Sequence, residues 1–224
     1  MSSRPSTPEL VAALLTGLVF VFTFGQVLDP AQALFFRDHT TVFPRLFLLV
    51  AQAYRAGELP LWDPFLGGGE PLAAYPAAVV YSPLHLITAL APAALDPYDI
   101  FVVACFVVGA AGAHRLARTV GLPPVGRWSA VALFALSGPI ISLNCLVPAL
   151  HSAVFGPWAL AYALELWRCP RLREVLLLAL ALALHAQGAD PALLVCDVIV
   201  FLAALRLPAL APTSSLAATT ATID

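Results

Sequence analysis

The sequence has few charged residues and no lysine. Only 11% of its 224 residues are charged, and all eleven basic residues are arginines. Soluble domains carry about 25% charged residues, whereas 61% of this chain is hydrophobic and its mean hydropathy is +0.90. A water-soluble fold of this size could not bury so much apolar surface. The composition therefore excludes an ordinary soluble domain and indicates a membrane protein.

The sequence also lacks the short motifs of most soluble enzymes. It contains no glycine-rich phosphate loop, no nucleophile elbow, no repeat of fixed period and no basic patch for nucleic acid. Its four cysteines have no metal-ligand spacing, and Cys105 and Cys196 lie in apolar segments where a small, polarizable side chain packs well. We expect no nucleic-acid partner and no metal site built from protein ligands alone.

Long apolar segments dominate what remains. Crossing a hydrocarbon core takes about 20 helical residues, and the spans predicted on this basis are Leu10–Leu28, Ile100–Ala117, Trp128–Leu146, Val147–Trp167, Val175–Gln187 and Ala192–Leu205. The stretch 78–90 is interrupted by Pro83 and His85, which favours an interfacial or re-entrant helix. The predicted fold is an all-α polytopic bundle of about six transmembrane helices over residues 1–206. A low-complexity tail follows over residues 207–224.

The arginines predict the orientation of the helices, because basic residues in short loops stay on the cytoplasmic side. With the N-terminus in the cytoplasm, eight of the eleven arginines fall inside. The other three, Arg37, Arg45 and Arg55, lie in the long loop 29–77 that follows the first span. We therefore predict that this loop lies on the outer face.

The start of the chain has a second interpretation. Leu10–Phe24 has the length of a signal-peptide core, and Ala31-Gln32-Ala33 imitates a cleavage site. Against this, the only basic residue before the core is Arg4, and the apolar run through Leu28 is long enough to span. A retained anchor is the favoured interpretation.

The outer loop contains one helical pattern. Apolar residues recur at helical spacing from Val42 to Tyr54, with Arg45 and other polar residues on the opposite side. Gly57 is placed as a C-terminal cap. This pattern predicts an amphipathic helix on the membrane surface. Asp38 stands just before it, where a carboxylate is held at the interface and still contacts water.

Three blocks of this loop carry a family resemblance. They are the G-x-L-P-L-W-D-P block from Gly57 to Pro64, the G-x-P-L block from Gly69 to Leu72 and the Y-S-P-L block from Tyr81 to Leu84. Together they resemble the YfhO-type bacterial membrane proteins, a family with the glycosyltransferase C fold. The stretch 185–191 is similar to that family's Q-x-x-G-x-P element, although Asp190 precedes the proline. The resemblance covers roughly residues 36–205.

The resemblance implies sugar transfer from a polyprenyl-phosphate-linked donor to a cell-envelope acceptor at the outer face of a bacterial inner (cytoplasmic) membrane. In that fold, an acidic residue of the first outer loop acts as general base or organises the donor phosphate, sometimes through a divalent metal. Asp38 is the matching position and the candidate catalytic residue. Such a reaction needs a proton acceptor near the attacking hydroxyl and donors near the phosphate leaving group. The need for a metal cofactor stays open.

Eight further residues are candidates for substrate binding. They offer cations, aromatic rings or hydrogen-bonding groups predicted at the outer face: Arg37, His39, Arg45, Trp62, Asp63, Glu70, His151 and Gln187. Polar residues within spans are costly and tend to face cavities, so His151 and Gln187 are expected to line an outer pocket with Asn144 and Asp190.

Each of these candidates has a simpler interpretation. Asp38 is also placed to cap a helix, and Asp63 before Pro64 is typical of a turn. Trp62 is equally suited to an interfacial anchor, and Glu70 follows three glycines where it is exposed to solvent.

Two other functions stay open. A transporter or flippase component fits the composition, but such proteins often contain repeated or discontinuous helix bundles, and no repeat is evident. An inactive fragment is the third possibility, because proteins of the resembled family are usually much longer. On that comparison, the chain is expected to be an N-terminal portion, with the tail as its truncation point.

Overall fold

A computed structural model describes residues 7–29, 42–92 and 94–188, with short pieces at 195–196, 198–200 and 202–203. Within these ranges the chain forms helices and turns, and its one β pairing is an isolated bridge between Asp63 and Glu70. The α-helices are α1 (Thr7–Phe24), α2 (Phe43–Arg55), α3 (Leu84–Leu90), α4 (Pro97–Thr119), α5 (Pro124–Ala135), α6 (Gly138–Ser142), α7 (Val147–Arg168) and α8 (Leu172–Gln187). The predicted all-α class is confirmed.

In the described part of the chain, four helical segments are long and apolar enough to cross a membrane. They are Thr7–Leu28, Pro97–Thr119, Pro124–Cys145 and Val147–Arg168. Each coincides with one of the six predicted spans. The helices therefore indicate a membrane protein, and four of the six predicted spans are supported by length and composition.

The other apolar segments add no span within the described residues. Helix α8 has 16 residues, or about 24 Å at about 1.5 Å per residue, which is short of the about 30 Å of a hydrocarbon core. Half of the predicted span Ala192–Leu205 lies outside the described residues. The stretch 78–90 contains the seven-residue helix α3, which is too short to cross.

Helices α4 and α7 form the centre of the bundle. Helix α7 packs against α4 and α8, while α4 also packs against α5, which in turn contacts α1. Two glycines of α4 allow α5 and α7 to pack closely against this helix. A Cβ on Gly109 would lie 2.8 Å from the Phe134 ring, and one on Gly112 would lie 2.7 Å from the Trp158 indole.

Helix α2 is the predicted amphipathic helix, but its apolar face lies inside the protein. Phe43, Leu46, Phe47 and Val50 are buried, and the helix packs against α3 and α4. The Phe47 ring centroid lies 4.7 Å from that of Phe101 in α4. The prediction of a helix is confirmed, whereas its apolar face packs on protein rather than on the membrane surface, because aromatic side chains of α4 cover it.

Contacts between elements define two ends of the bundle. Arg115 near the end of α4 pairs with Glu165 near the end of α7 at 2.6 Å, so these two helices run parallel. We call this the arginine end, and it comprises Arg115, Arg118, Arg127, Arg168, Arg171 and Arg173. At the opposite end, which we call the loop end, the segment 56–83 contacts the start of α7 and the end of α8.

Candidate functional site

The structure places six of the nine predicted site residues and leaves three undescribed. Asp38, the candidate general base, and its neighbours Arg37 and His39 lie outside the described residues. The other six lie at the loop end: Arg45, Trp62, Asp63, Glu70, His151 and Gln187. They fall into a surface group on α2 and the loop, and a buried group beneath it.

The surface group centres on a bidentate ion pair. The two terminal nitrogens of Arg45 donate to the two carboxylate oxygens of Asp63 at 3.3 and 2.7 Å. Asp63 is only 2% exposed and also accepts the backbone N–H of Phe65 at 2.9 Å. Burial alone would raise the pKa of Asp63, but the Phe65 N–H and the Arg45 guanidinium outweigh it and hold this pKa below its ordinary value.

The contacts of Arg45 and Asp63, two predicted substrate-binding residues, are explained by their pairing with each other. Arg45 and Asp63 neutralise each other, and the bond from Phe65 to Asp63 is that of an Asx-type turn. The turn interpretation of Asp63 therefore accounts for its contacts. Direct substrate binding by either side chain stays a prediction.

The chain reverses direction between Asp63 and Glu70. The backbones of these two residues exchange hydrogen bonds of 2.8 and 2.9 Å. Gly67, Gly68 and Gly69 between them all have positive φ, at 62°, 85° and 117°, a region that side-chain-bearing residues rarely adopt. The three consecutive glycines thus form the turn that pairs Asp63 with Glu70.

Trp62 packs over this turn. A Cβ added to Gly69 would lie 2.5 Å from the Trp62 indole, so only glycine allows the ring to rest there. The ring is still 58% exposed, as are large parts of Leu61, Phe65 and Tyr75 nearby. A fixed, exposed indole can stack on a sugar ring or lie at the lipid interface.

The group beneath the loop comprises His151 and Gln187. His151 lies in a layer of three buried histidines, which we call the histidine layer: His85, His151 and His185. His85 Nε2 donates to the Ala78 carbonyl at 3.0 Å, and His185 Nδ1 donates to the Ser152 carbonyl at 2.8 Å. Burial lowers the pKa of His85 to about 4, so this ring is neutral near pH 7.

His151 joins the loop to the bundle. Its Nε2 lies 2.8 Å from the Ser82 hydroxyl, and both side chains are buried. Its Nδ1 is buried with no hydrogen-bond partner among the described residues. The histidine layer includes one predicted site residue, His151, and two that the sequence prediction left out, His85 and His185. The signal in the sequence that could have identified His85 and His185 is a histidine inside an apolar stretch.

Gln187 lies at the edge of this layer, where its amide nitrogen is 3.5 Å from the Tyr81 carbonyl. The end of α8 is pressed closely against α7 at this point. A Cβ on Gly188 would lie 2.0 Å from the Pro148 carbonyl oxygen, so glycine is required for the approach. His151 and Gln187 thus both contact the loop, and their part in substrate binding stays a prediction.

A cavity lies between α5, α7 and α8 and borders His185 of the histidine layer. Its volume is about 600 Å³, and its walls include Phe134, Ile140, Leu160 and Leu182. Among the described residues, His185 is the one ionisable side chain on the wall. The cavity is thus apolar along its length and meets polar groups at the loop end.

The described residues do not form a metal centre. Nowhere in the described ranges do three His, Cys, Asp or Glu side chains come together in a way that would hold a metal ion, and the Asp63 oxygens are occupied by Arg45 and Phe65. No protein-family model, curated protein or solved structure matches the chain.

Proposed function

We propose that the protein is a membrane glycosyltransferase that transfers a sugar from a polyprenyl-phosphate-linked donor to a cell-envelope acceptor. The reaction is assigned to the loop end, on the outer face of a bacterial inner membrane. The observation that carries this proposal is the apolar cavity of about 600 Å³ that leads to the histidine layer under a polar loop.

The cavity suits the lipid part of such a donor. A polyprenyl chain is long and apolar, and ligand clefts are lined mainly by apolar groups with a few polar groups that fix orientation. Here those polar groups are confined to one end, at His185 with Ser152. A lipid tail in the cavity would therefore place its phosphate and sugar at the loop end.

The loop end offers groups that suit a phosphorylated sugar. Arg45 remains 37% exposed while it pairs with Asp63, and the Trp62 indole stands open above the glycine turn. A guanidinium favours a phosphate leaving group, and an aromatic face favours a sugar ring. Arg37 and His39 are further phosphate donors on the sequence prediction.

The proposed reaction has one bond made and one broken. The acceptor hydroxyl oxygen bonds to the anomeric carbon of the sugar, and the bond from that carbon to the phosphate oxygen breaks. The leaving polyprenyl phosphate keeps the electron pair, and the hydroxyl proton passes to a general base. Asp38 is that base on the resemblance to the YfhO-type family.

Sugar transfer in proteoliposomes tests this proposal. The full chain, a polyprenyl-phosphate donor with a radiolabelled sugar and a cell-envelope fraction are combined, and label in the acceptor is counted. Loss of a general base costs about 10²–10⁴-fold, so Asp38→Asn is expected to lower the rate by at least about 10²-fold. Equal rates for wild type and Asp38→Asn, both correctly inserted, would refute the assignment of Asp38.

A matched pair of variants tests the cavity separately. Leu182 lines the cavity, whereas Leu180 on the same helix is 56% exposed and does not. Leu182→Trp is expected to raise the KM for the lipid donor, and Leu180→Trp is expected to leave it unchanged. A transporter would show no label in the acceptor but movement of the lipid-linked sugar between leaflets.

A further inference from the structure

We propose a second lipid site at the arginine end, which binds one acyl chain and the headgroup phosphate of an anionic phospholipid. It lies between α4, α5 and α7, at the end of the bundle opposite to the loop. The site does not depend on sugar transfer, so its failure would leave the proposed function untouched.

The acyl chain would occupy an open apolar groove of about 300 Å³. Its walls come from three helices and the turn that joins two of them, and they include Ala117, Leu122, Ala130, Leu160 and Leu164. Small side chains on α4 and α5 create the width of this groove. In every part that the structure describes, the wall of the groove carries apolar side chains.

Arg127 stands at the mouth of the groove. It lies on the groove face of α5, because Ala130 and Phe134 follow it three and seven residues later. Its Nε donates to the Leu122 carbonyl at 2.9 Å, and Leu122 itself lines the groove. This bond holds the guanidinium in place, while its two terminal nitrogens have no hydrogen-bond partner within the described ranges.

Arg168 occupies the matching position on α7. It follows Leu160 and Leu164 at four-residue intervals, so it lies on the groove face of its helix at the same end. Its guanidinium donates to the Thr119 carbonyl at the end of α4. Two guanidinium groups therefore border one apolar groove where it reaches the membrane surface.

Charge complementarity selects an anionic headgroup. Glu165 lies three residues before Arg168 on α7, and both of its oxygens are engaged, one by Arg115 and the other by the Thr119 hydroxyl. That carboxylate is thus neutralised within the bundle, and the end retains excess positive charge. Basic pockets between membrane helices favour anionic lipid headgroups, and a guanidinium binds phosphate through paired donors.

The position of the groove argues against the tail of the sugar donor as its occupant. The charged part of the donor would lie at the loop end, whereas both arginines of this groove lie at the other end. An anionic phospholipid of the opposite leaflet has its phosphate at the arginine end. We therefore assign the groove to phosphatidylglycerol or a similarly charged phospholipid.

Native mass spectrometry of the full chain tests this site. The protein is released from micelles that contain equal amounts of phosphatidylglycerol and phosphatidylethanolamine, and the retained lipids are counted. Wild type is expected to retain phosphatidylglycerol preferentially. Arg127→Gln is expected to lower that preference about fivefold, in keeping with the attraction of one arginine near a membrane surface.

Arg173→Gln is the matched control, because it removes the same charge at the same end from an exposed residue away from the groove. It is expected to leave the preference unchanged. An equal loss in both variants would overturn the site in favour of diffuse attraction. Ala130→Phe narrows the groove without a change of charge and is expected to lower retention of both lipids, with Val120→Trp, which lines the groove but not the donor cavity, as a second variant if it misfolds. Unchanged retention in a folded groove variant would also overturn the proposal.

Displacement by polyprenyl phosphate separates the two possible occupants. If the groove holds an anionic phospholipid, then added polyprenyl phosphate leaves the retained phosphatidylglycerol in place. If each bound polyprenyl phosphate displaces one phosphatidylglycerol, then the groove belongs to the donor and the proposal is wrong.

Discussion

Replacing Asp63 by Asn should destabilise the loop end measurably. Asn keeps the size of the side chain but loses the charge that pairs with Arg45, while the N–H of Phe65 loses a charged acceptor. Hydrogen bonds to charged groups contribute about 1.5–3 kcal/mol each. Arg45 is 37% exposed, so water solvates its guanidinium when the carboxylate is removed. We therefore expect the free energy of unfolding to fall by about 2 kcal/mol, near the lower end of this range.

Thermal unfolding in detergent measures this loss. For a chain of this length, about 2 kcal/mol corresponds to a fall in Tm of about 4–8 °C. Glu58→Gln is the control, because Glu58 is an exposed carboxylate of the same loop and its loss should change Tm by little. A double-mutant cycle with Arg45→Gln should give a coupling energy of at least about 1 kcal/mol. A coupling within the about 0.3–0.5 kcal/mol expected for independent sites would refute the reasoning.

The pH dependence of the same variant has a definite sign. The folded pKa of Asp63 is lowered from an unfolded value of about 3.9. The carboxylate therefore contributes its stability above about pH 4, and this contribution is lost as the pH falls through the folded pKa. The difference in Tm between wild type and Asp63→Asn should be constant from pH 7 to about 5 and should shrink below about 4. A difference that grows on acidification would contradict the assignment.

Two further substitutions test the turn and the histidine layer. Gly69→Ala should destabilise the loop by about 1–3 kcal/mol, and its effect should be larger than that of Gly68→Ala. Both glycines have positive φ, but of the two only Gly69 has the Trp62 ring against it. Trp fluorescence and loop proteolysis report the change, and equal effects of the two substitutions would argue against the packing. Ser82→Ala should cost about 1–3 kcal/mol in unfolding free energy, because it leaves the buried His151 Nε2 unpaired; an unaltered Tm would argue against that bond.

Local features of the sequence were enough to predict the class and most of the helices. Hydrophobic runs predict spans because the free energy of placing each residue in lipid depends on that residue alone. Four predicted spans coincide with long apolar helices. The period of α2 is also local, and its helix was predicted from Val42 to Tyr54. What covers its apolar face is not local, because Tyr98 and Phe101 come from α4.

The contacts of the candidate site depend on distant pairs. Arg45 and Asp63 are 18 residues apart, and they meet through the path of the segment that follows α2. Ser82 and His151 are 69 residues apart. The sequence indicated which residues are chemically suitable, but the pairing that occupies Asp63 and the layer that includes His85 and His185 follow from packing. Asp38, the residue on which the predicted mechanism depends, lies outside the described part.

The central claim, that a polyprenyl-phosphate donor binds in the cavity below the loop, is tested most directly by photolabelling. Polyprenyl phosphate with a diazirine near its tail is added to the full chain in proteoliposomes, and after irradiation the adducts are mapped by mass spectrometry. We expect adducts on the cavity walls of α7 and α8, near Ala163 and Leu178, which do not line the groove at the arginine end, and we expect unlabelled polyprenyl phosphate to remove them. Adducts that spread evenly over exposed apolar residues such as Leu14 and Phe22 of α1, and that resist competition, would contradict the claim.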